Sequence, residues 1–299
     1  MSNTLSITVL KSGLFTTIQD QGRTGYQRFG VPFSGPMSKA NAELANRLVG
    51  NEVNFPTIEI TLVGPQLLLK GKGCIAVTGA PIEIFLDQKK MEMNKSLTID
   101  GECNLSFGKM ESGYRSYLSI RGQWDLEPWL GSVSAAPGNT QDVTPASRLS
   151  KNQQFLVYSD DMYSIQYDHL PFEPASSVRI MAGPEYNNFE AEQIRFLLSQ
   201  AFEVSPQANR MGLRLLQKLP NYKAQTEVIS SGIVPGTIQI TNEGQPIILT
   251  ADAQTSGGYP RIANVLSDDF NHLAQLRPRD RIKFQLTSIT DVLSNQHHA

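Results

Sequence analysis

The 299-residue sequence has little of the material from which several common functional sites are built. Its two cysteines, Cys74 and Cys103, are too few for a disulfide scaffold and fit buried, reduced thiols in the cytoplasm, where we expect the protein to reside. Of its four histidines, His297 and His298 belong to the C-terminal tail. Because the spacings of Cys and His ligands are missing, we predict no metal site.

Charge and hydropathy argue against two further classes of partner. The formal net charge is −2, with basic and acidic residues interspersed, so we predict binding neither to nucleic acid nor to a membrane. The first residues lack the order of a signal peptide, and no apolar run approaches the roughly 18 residues of a membrane span. The sequence also contains neither a Walker A motif nor a Gly-x-Ser-x-Gly nucleophile motif.

What the sequence does contain is a long series of short strands separated by glycine and proline. Strict alternation in RIKFQL places Ile282, Phe284 and Leu286 on one face. The segment before Asp252 is apolar at consecutive positions, which predicts a central strand buried on both faces. This pattern is typical of a mainly β protein built as a barrel or sandwich.

Few helices interrupt the strands. The first is predicted to begin after Ser38, its N-cap, with Ala40, Leu44 and Leu48 on the buried face. A second is predicted over about 188–201, and a third begins near Ser267 and ends before Pro278.

A segment rich in Asp, Pro and Ser at about 160–176 separates two strand-rich halves. We therefore predict an N-terminal domain over 1–165, a C-terminal domain over 176–290 and a tail over 291–299.

Polar groups suited to an amide substrate are concentrated in one stretch of the C-terminal half. Asp252 ends an apolar strand, and a buried carboxylate there needs a cation, for which Arg210 and Arg261 are candidates. The alternative is that Asp252 only begins a turn. Gln239 and Gln254 each carry both a donor and an acceptor, which complements an amide.

The same stretch contains candidate groups for an anion. Gly257 and Gly258 permit positive φ, so their N–H groups can form a nest for phosphate or carboxylate, although an ordinary hairpin turn explains them equally. Thr255 and Tyr259 flank the pair. Arg210 is either a bidentate clamp for an anion or an ion-paired arginine.

A second candidate region is the glycine-punctuated loop before the first helix. Arg23 and Arg28 lie in this loop and are candidate anion-binding residues. The alternative is a structural loop that covers the mouth of a barrel.

Several stretches resemble the biotin-dependent carboxyltransferase-like family, also called the allophanate hydrolase subunit 2 or KipA family, which includes the C subunit of bacterial 5-oxoprolinase. The similarity runs from about residue 5 to about residue 286. It is most specific in DQGRTGYQRFGVPFSGPMSKANAELANRLVGN and GQPIILTADAQTSGGYPRIANVLSDDFNHLAQLRP. The resemblance implies two cyclophilin-like β-barrel domains, each with a few covering helices.

The resemblance also implies a function in a heteromeric complex. The first hypothesis is a subunit of an ATP-dependent 5-oxoprolinase, which opens 5-oxoproline to glutamate with a KipI-like B-type subunit and an A-type subunit. The isolated chain is then inactive, and ATP is handled through the complex. Asp252, Gln254 and Gln239 would orient or polarise the substrate, while Arg210 and the amides of Gly257 and Gly258 hold an anionic group.

Two other hypotheses remain open. One is a KipA-type regulatory protein that acts by binding a KipI-like partner. The other is a urea-carboxylase-type carboxyltransferase half, which is disfavoured because the chain has no biotin attachment site: GKM at 108–110 does not match the biotin-acceptor motif.

The sequence departs from the family pattern at five positions, of which Arg279 replaces a turn glycine. Gln123 stands in a glycine place and Ala135 in a threonine place, whereas Val133 and Ala253 each stand in an arginine place. The loss of two arginines removes two anion-clamping groups, which fits either an altered substrate or a role in assembly alone.

Overall fold

The computed structural model is mainly β, with two curled sheets and few helices, as the sequence predicts. The segment of the predicted domain boundary lies mostly outside the described residues, which are 3–137, 142–160, 176–223, 229–288 and 291. The chain divides into two compact units. The first unit is Met1–Thr24 with Ser34–Glu173, and the second unit is Gly25–Phe33 with Pro174–Ala299.

The first unit contains one ten-stranded sheet with the order β2-β3-β8-β4-β1-β10-β9, to which β7, β5 and β6 are added beside β4. In β1, Leu5, Ile7 and Val9 alternate with polar residues and are buried in the main core of this unit. The strands are β1 Asn3–Lys11, β2 Phe15–Gln19, β3 Thr57–Thr61, β4 Gln66–Gly79, β5 Ile82–Leu86, β6 Lys89–Met91, β7 Ser96–Met110, β8 Arg115–Ile120, β9 Gln123–Trp124 and β10 Gln154–Ser159.

Helix α1, Lys39–Leu48, covers the other face of this sheet. Ser38 is its N-cap, as predicted, and the Ser38 side chain accepts a hydrogen bond from the backbone N–H of Asn41. The predicted buried stripe was wrong at Ala40, which is exposed. Leu48 is buried and Leu44 is partly buried, as predicted, and the buried face also includes Ala42 and Ala45, which pack against the ring of Tyr117.

The second unit contains a seven-stranded sheet with the order β12-β19-β11-β18-β15-β16-β13. Its two edges meet through a bridge between Val204 and Leu215, and the N–H of Ser205 donates to the carbonyl of Arg214 at 2.8 Å. The sheet therefore curls into a barrel. The strands are β11 Ser177–Ala182, β12 Phe202–Glu203, β13 Gly212–Arg214, β14 Ser231–Gly232, β15 Thr237–Ile240, β16 Pro246–Leu249, β17 Ser256–Gly257, β18 Arg261–Val265 and β19 Arg281–Leu286.

Two strands of this barrel test the hydrophobic pattern directly. All four residues of β16 are buried, and it lies between β15 and β13, as predicted for a central strand. In β19, Ile282 and Phe284 are buried, but Leu286 is 45% exposed. Leu286 is the last residue of the strand, where the core no longer covers its face.

Two more helices belong to the second unit, α2 over Ala191–Ser199 and α3 over Phe270–Leu273. Helix α2 is shorter than predicted because Tyr186–Asn188 form a separate 3-10 turn and Glu190 caps the helix. Short 3-10 turns also occur at Gln27–Phe29, Pro145–Ser147 and Ser267–Asp269. Within the described ranges, every helix is too short or too polar to cross a bilayer.

Both cysteines are free thiols, and they differ in burial. Cys74 is buried beneath α1, and this burial raises the pKa of its thiol to about 11. Cys103 is only partly buried, so the prediction of two buried thiols holds for Cys74 alone.

Candidate functional site

A cavity of about 530 Å³ opens in the second unit. One wall comes from the segment of the N-terminal loop that belongs to this unit, and the other walls come from the chain around β14 and β17. The lining residues are Gln27, Arg28, Phe33, Gly232, Ile233, Val234, Pro235, Ala253, Gln254 and Thr255.

The ribbon of β14 and β17 shapes one side of this cavity. Its strands pair antiparallel, and the N–H of Ile233 donates to the carbonyl of Thr255 at 3.1 Å just beyond the pairing. Ile233 and Ala253 also belong to a small apolar cluster with Ile247 and Leu249. The cavity therefore has an apolar floor fixed to the barrel.

Two glutamine side chains converge on Gly257. A Cβ atom placed on Gly257 would lie 2.8 Å from Gln239 Nε2 and 3.3 Å from Gln254 Nε2. Gln239 is 2% exposed, and its Nε2 donates to the carbonyl of Tyr259 at 3.3 Å. The structure thus brings together the two predicted amide groups, one buried and one, Gln254, at the surface.

The backbone at Gly257 and Gly258 differs from the positive-φ backbone on which the predicted anion nest was based. Neither Gly257 nor Gly258 is among the glycines with positive φ in the described residues. Gly257 lies instead in β17, paired with Ser231. Its missing side chain leaves room for the two glutamine amides, which approach the backbone closely there.

Asp252 and Arg210 form a buried ion pair, each 6% exposed. Arg210 Nε donates to Asp252 Oδ2 at 2.8 Å, and Arg210 Nη2 donates to Oδ1 at 2.9 Å. This fork answers the question of which arginine neutralises Asp252. The edge of the Arg210 guanidinium formed by Nε and Nη2 therefore already binds a carboxylate, and the predicted role of Arg210 toward a substrate anion stays a prediction.

The main chain strengthens the same link. The N–H of Asp252 donates to the Arg210 carbonyl at 2.8 Å, and Thr250 Oγ1 donates to that carbonyl at 2.5 Å. The turn after β16 is therefore fixed at the point where the chain enters the cavity wall at 253–255.

Arg261 holds a different carboxylate, that of Glu185. Arg261 Nε donates to Glu185 Oε2 at 2.8 Å and Nη2 donates to Oε1 at 2.6 Å. These hydrogen bonds lower the pKa of Glu185 and raise that of Arg261. Arg261 Nη1 also reaches the carbonyl of Gly232 at 3.4 Å, so this pair supports the ribbon. Glu185 was not predicted as a partner of Arg261, since no local spacing links the two residues.

The two loop arginines have different surroundings. Arg28 is exposed, lines the cavity and stacks over the ring of Phe29, with 4.7 Å from Cζ to the ring centroid. Arg23 lies in the first unit, is 1% exposed, and donates to the main-chain carbonyls of Ser134 at 2.5 Å and Trp129 at 3.3 Å. These contacts give Arg23 a structural role, and the anion-binding role predicted for it stays a prediction.

Four of the five departures from the family pattern lie in the first unit or at the cavity. Val133 packs in the core of the first unit, and Ala135 is buried nearby. Gln123 is exposed in β9. Ala253 lines the cavity, so an apolar methyl group stands where the family pattern has an arginine.

The remaining predicted residues lie close to this cavity in the chain. Thr255 lines it, and Tyr259 is 39% exposed beyond β17. The apolar lining at Ile233 and Val234 was not predicted. Its signal was the apolar run in SSGIVPG, which resembles an ordinary buried strand in the sequence.

These features define a two-unit β protein whose second unit carries an amide-lined cavity. The family model for the carboxyltransferase domain, subdomain A and B, matches residues 29–286, and the chain belongs to this family.

Relatives named as 5-oxoprolinase subunits and relatives named as urea amidolyases both match most of the chain. The C subunit of Escherichia coli 5-oxoprolinase is 33% identical over 95% of this chain and 92% of its own length. The urea amidolyase of Saccharomyces cerevisiae is 32% identical over 93% of this chain, but only 16% of that longer protein is covered. The crystal structure of the Kluyveromyces lactis urea carboxylase superposes with a TM-score of 0.84 at 29% identity, over 98% of this chain and 28% of that one.

Proposed function

We propose that this chain is the C-type subunit of an ATP-dependent 5-oxoprolinase, which opens 5-oxoproline to glutamate in the cytoplasm. The observation that carries the proposal is the cavity that the Gln254 side chain lines, with the amide of the buried Gln239 close to that of Gln254 at Gly257. Support also comes from the name of the E. coli relative, which the chain matches over nearly its whole length.

The cavity suits a lactam because it offers both kinds of contact that such a ring needs. The Gln254 amide can donate to the lactam carbonyl and accept from the lactam N–H, while Gln239 supports it from the buried side. Ile233 and Val234 provide apolar contact for ring methylene groups. A hydrogen bond donated to the carbonyl stabilises the charge that develops on its oxygen during ring opening.

Asp252 and Arg210 act in this proposal as positioning residues. Because both carboxylate oxygens of Asp252 accept hydrogen bonds from Arg210, the pair holds the turn that places Ala253, Gln254 and Thr255. Gly257 makes space for the amides, and Gly258 and Tyr259 follow it at the cavity edge. ATP and its chemistry enter through the partner subunits, for which we propose an A-type and a KipI-like B-type chain.

A urea-carboxylase-type transferase half is the second candidate. It is favoured by the similarity to urea amidolyase, whose identity to this chain is nearly that of the 5-oxoprolinase relative. Overall sequence identity therefore does not distinguish 5-oxoproline from urea as the substrate. The residues that line the cavity have to make this distinction.

The test is ATP-dependent glutamate release from 5-oxoproline by the chain co-expressed with its A- and B-type partners. Gln254→Leu should reduce kcat/KM by about tenfold to a hundredfold, because it removes the hydrogen bonds to the lactam. The exposed Gln285 in β19 gives the matched control, Gln285→Leu, which should leave kcat/KM unchanged.

An assembled complex that releases no glutamate would sink the 5-oxoprolinase proposal. Carboxylation of urea by a complex that also contains a biotin-bearing partner would then favour the transferase half. A complex without either activity would favour the regulatory role in which the chain only binds a KipI-like partner.

A further inference from the structure

We propose that Arg28 makes the cavity selective for a substrate that carries a carboxylate beside its amide, and so disfavours neutral amides such as urea. This inference rests on the proposed function, because it concerns the same cavity.

The charge of the lining supports this assignment. Arg28 is the one ionisable side chain among the described residues that line the cavity. The nearby carboxylates of Asp252 and Glu185 are each held by another arginine, through two charged hydrogen bonds. The lining therefore presents a single positive charge to a ligand.

The exposure and contacts of the Arg28 side chain also support binding of a carboxylate. Its side chain is exposed and makes no ion pair with any described residue, and the ring of Phe29 stacks on its guanidinium. Stacking restricts the guanidinium plane while leaving its N–H edge available, and a planar fork of donors matches the two oxygens of a carboxylate. Arg28 is thus arranged to receive an anion.

The apolar part of the lining argues against urea. Phe33, Ile233 and Val234 contribute side chains that gain stability only when they cover apolar groups of a ligand. Urea has no such groups, whereas a lactam ring has methylene groups between its amide and its carboxylate. A cavity of about 530 Å³ also lies within the range of roughly 300–1,000 Å³ that is usual for larger ligands.

The expected selectivity follows from the strength of charged hydrogen bonds. A pair of hydrogen bonds to a carboxylate at an exposed site corresponds to about a ten- to hundredfold difference in affinity.

The experiment compares 5-oxoproline with 2-pyrrolidinone, the same lactam ring without the carboxylate, on the assembled complex. Equilibrium binding is measured without ATP, and KM and kcat are measured with ATP. We expect the unsubstituted complex to bind 5-oxoproline about ten- to hundredfold more tightly. Arg28→Gln should remove this difference, raise KM for 5-oxoproline with little change in kcat, and leave 2-pyrrolidinone binding unchanged.

Two further variants make the result specific. Arg28→Lys should restore part of the preference because it keeps the charge but loses the fork. Arg195→Gln removes another exposed arginine, on α2 of the same unit, and should leave both ligands unaffected.

Failure of this inference is distinguishable from failure of the proposed function. Glutamate release with an unchanged KM in Arg28→Gln would overturn the role of Arg28 while the 5-oxoprolinase function stands. Equal weakening of both lactams would overturn it as well, since Arg28 would then support the cavity and not read the carboxylate. A carboxylate preference that depends on Arg28 without turnover would support the inference and reject the activity. Binding of neither lactam by the unsubstituted complex would overturn both.

Discussion

Gly257 is the most crowded position on the ribbon beside the cavity. An alanine Cβ there would lie 2.8 Å from Gln239 Nε2 and 3.0 Å from Ile233 Cδ1. We expect Gly257→Ala to lower the free energy of unfolding by about 1 kcal/mol, because the ends of the Gln239 and Ile233 side chains must move. Urea denaturation of the purified chain measures this. Gly232→Ala on the paired strand faces open space and should stay within about 0.5 kcal/mol of the unsubstituted chain.

The Asp252–Arg210 pair provides a second prediction at the residue scale. Asp252→Asn removes the charge from a pair in which both residues are 6% exposed, so Arg210 is left buried with a weaker partner. We expect a loss of about 3–5 kcal/mol in unfolding free energy. The control is Glu243→Gln, which breaks the exposed pair with Lys218 and should cost less than about 1 kcal/mol.

Equal stability of Asp252→Asn and the unsubstituted chain would contradict the positioning role. Loss of activity in that stable variant would return Asp252 to the direct catalytic role that its sequence context first suggested.

At the scale of elements, the start of α1 is anchored by a buried network. Tyr117 Oη donates to Glu59 Oε2 at 2.9 Å and accepts from the N–H of Ser38 at 2.8 Å, and the N–H of Met37 also donates to Glu59 Oε2. Burial, followed by the nearby Glu59 charge, raises the pKa of Tyr117 well above its usual value, so its proton stays in place to donate.

Tyr117→Phe should therefore loosen the N-terminus of α1. The change removes one donor and one acceptor from a buried network, which corresponds to about 1–3 kcal/mol. Hydrogen exchange of the Ser38 amide should accelerate, and the melting temperature should fall. Tyr158→Phe, at a tyrosine that is 39% exposed in β10, is the control; a fall as large as that of Tyr117→Phe would count against the network.

The Glu185–Arg261 pair links the 3-10 turn at Tyr186–Asn188 to β18 and predicts a pH dependence. The pKa of Glu185 is lower in the folded state than in the unfolded state. Its contribution to the free energy of unfolding is therefore fully present above the unfolded pKa and is lost as the pH falls through the folded pKa. Glu185→Gln should reduce the loss of unfolding free energy at acidic pH by about 1 kcal/mol or less, since the pair is partly exposed to solvent. The test is to measure the free energy of unfolding at a series of acidic pH values. The control is Glu127→Gln at an exposed residue, which should leave this pH dependence unchanged.

Local patterns carried most of the element predictions. Ser38 was identified as an N-cap, and β16 as a strand buried on both faces, because caps and hydrophobic runs depend on neighbours in the chain. Ile282, Phe284 and Leu286 share one face of β19 as predicted, but periodicity does not say that the core ends before Leu286. The contact of α1 with Tyr117 was not predicted, because Tyr117 is far away in the sequence.

The candidate site was likewise predicted where it depends on local sequence and was not predicted where it depends on tertiary contacts. Its residue types were found from one stretch of sequence, because glutamines, glycines and an aspartate cluster there. Their partners were not all found, since Arg261 binds Glu185 and Arg28 reaches the cavity only through tertiary folding. The carbonyl acceptors around Arg23 were not predicted for the same reason: a sequence does not show which acceptors surround a guanidinium.

At the scale of the whole molecule, the second unit is discontinuous in sequence. Its segment Gly25–Phe33 lies between two parts of the first unit, and it supplies Gln27, Arg28 and Phe33 to the cavity. A change in the length of the chain on either side of this segment therefore acts on the proposed substrate site as well as on the fold.

This discontinuity has a consequence for the order of events during synthesis. Phe33 leaves the ribosome about 200 residues before Gly232, which at about 5–20 residues per second is a delay of roughly 10–40 seconds. Throughout that interval the segment that carries Arg28 has no barrel to join. The nascent chain consequently acquires its cavity only near the end of translation, and an unfinished chain has no complete pocket with which to capture a metabolite.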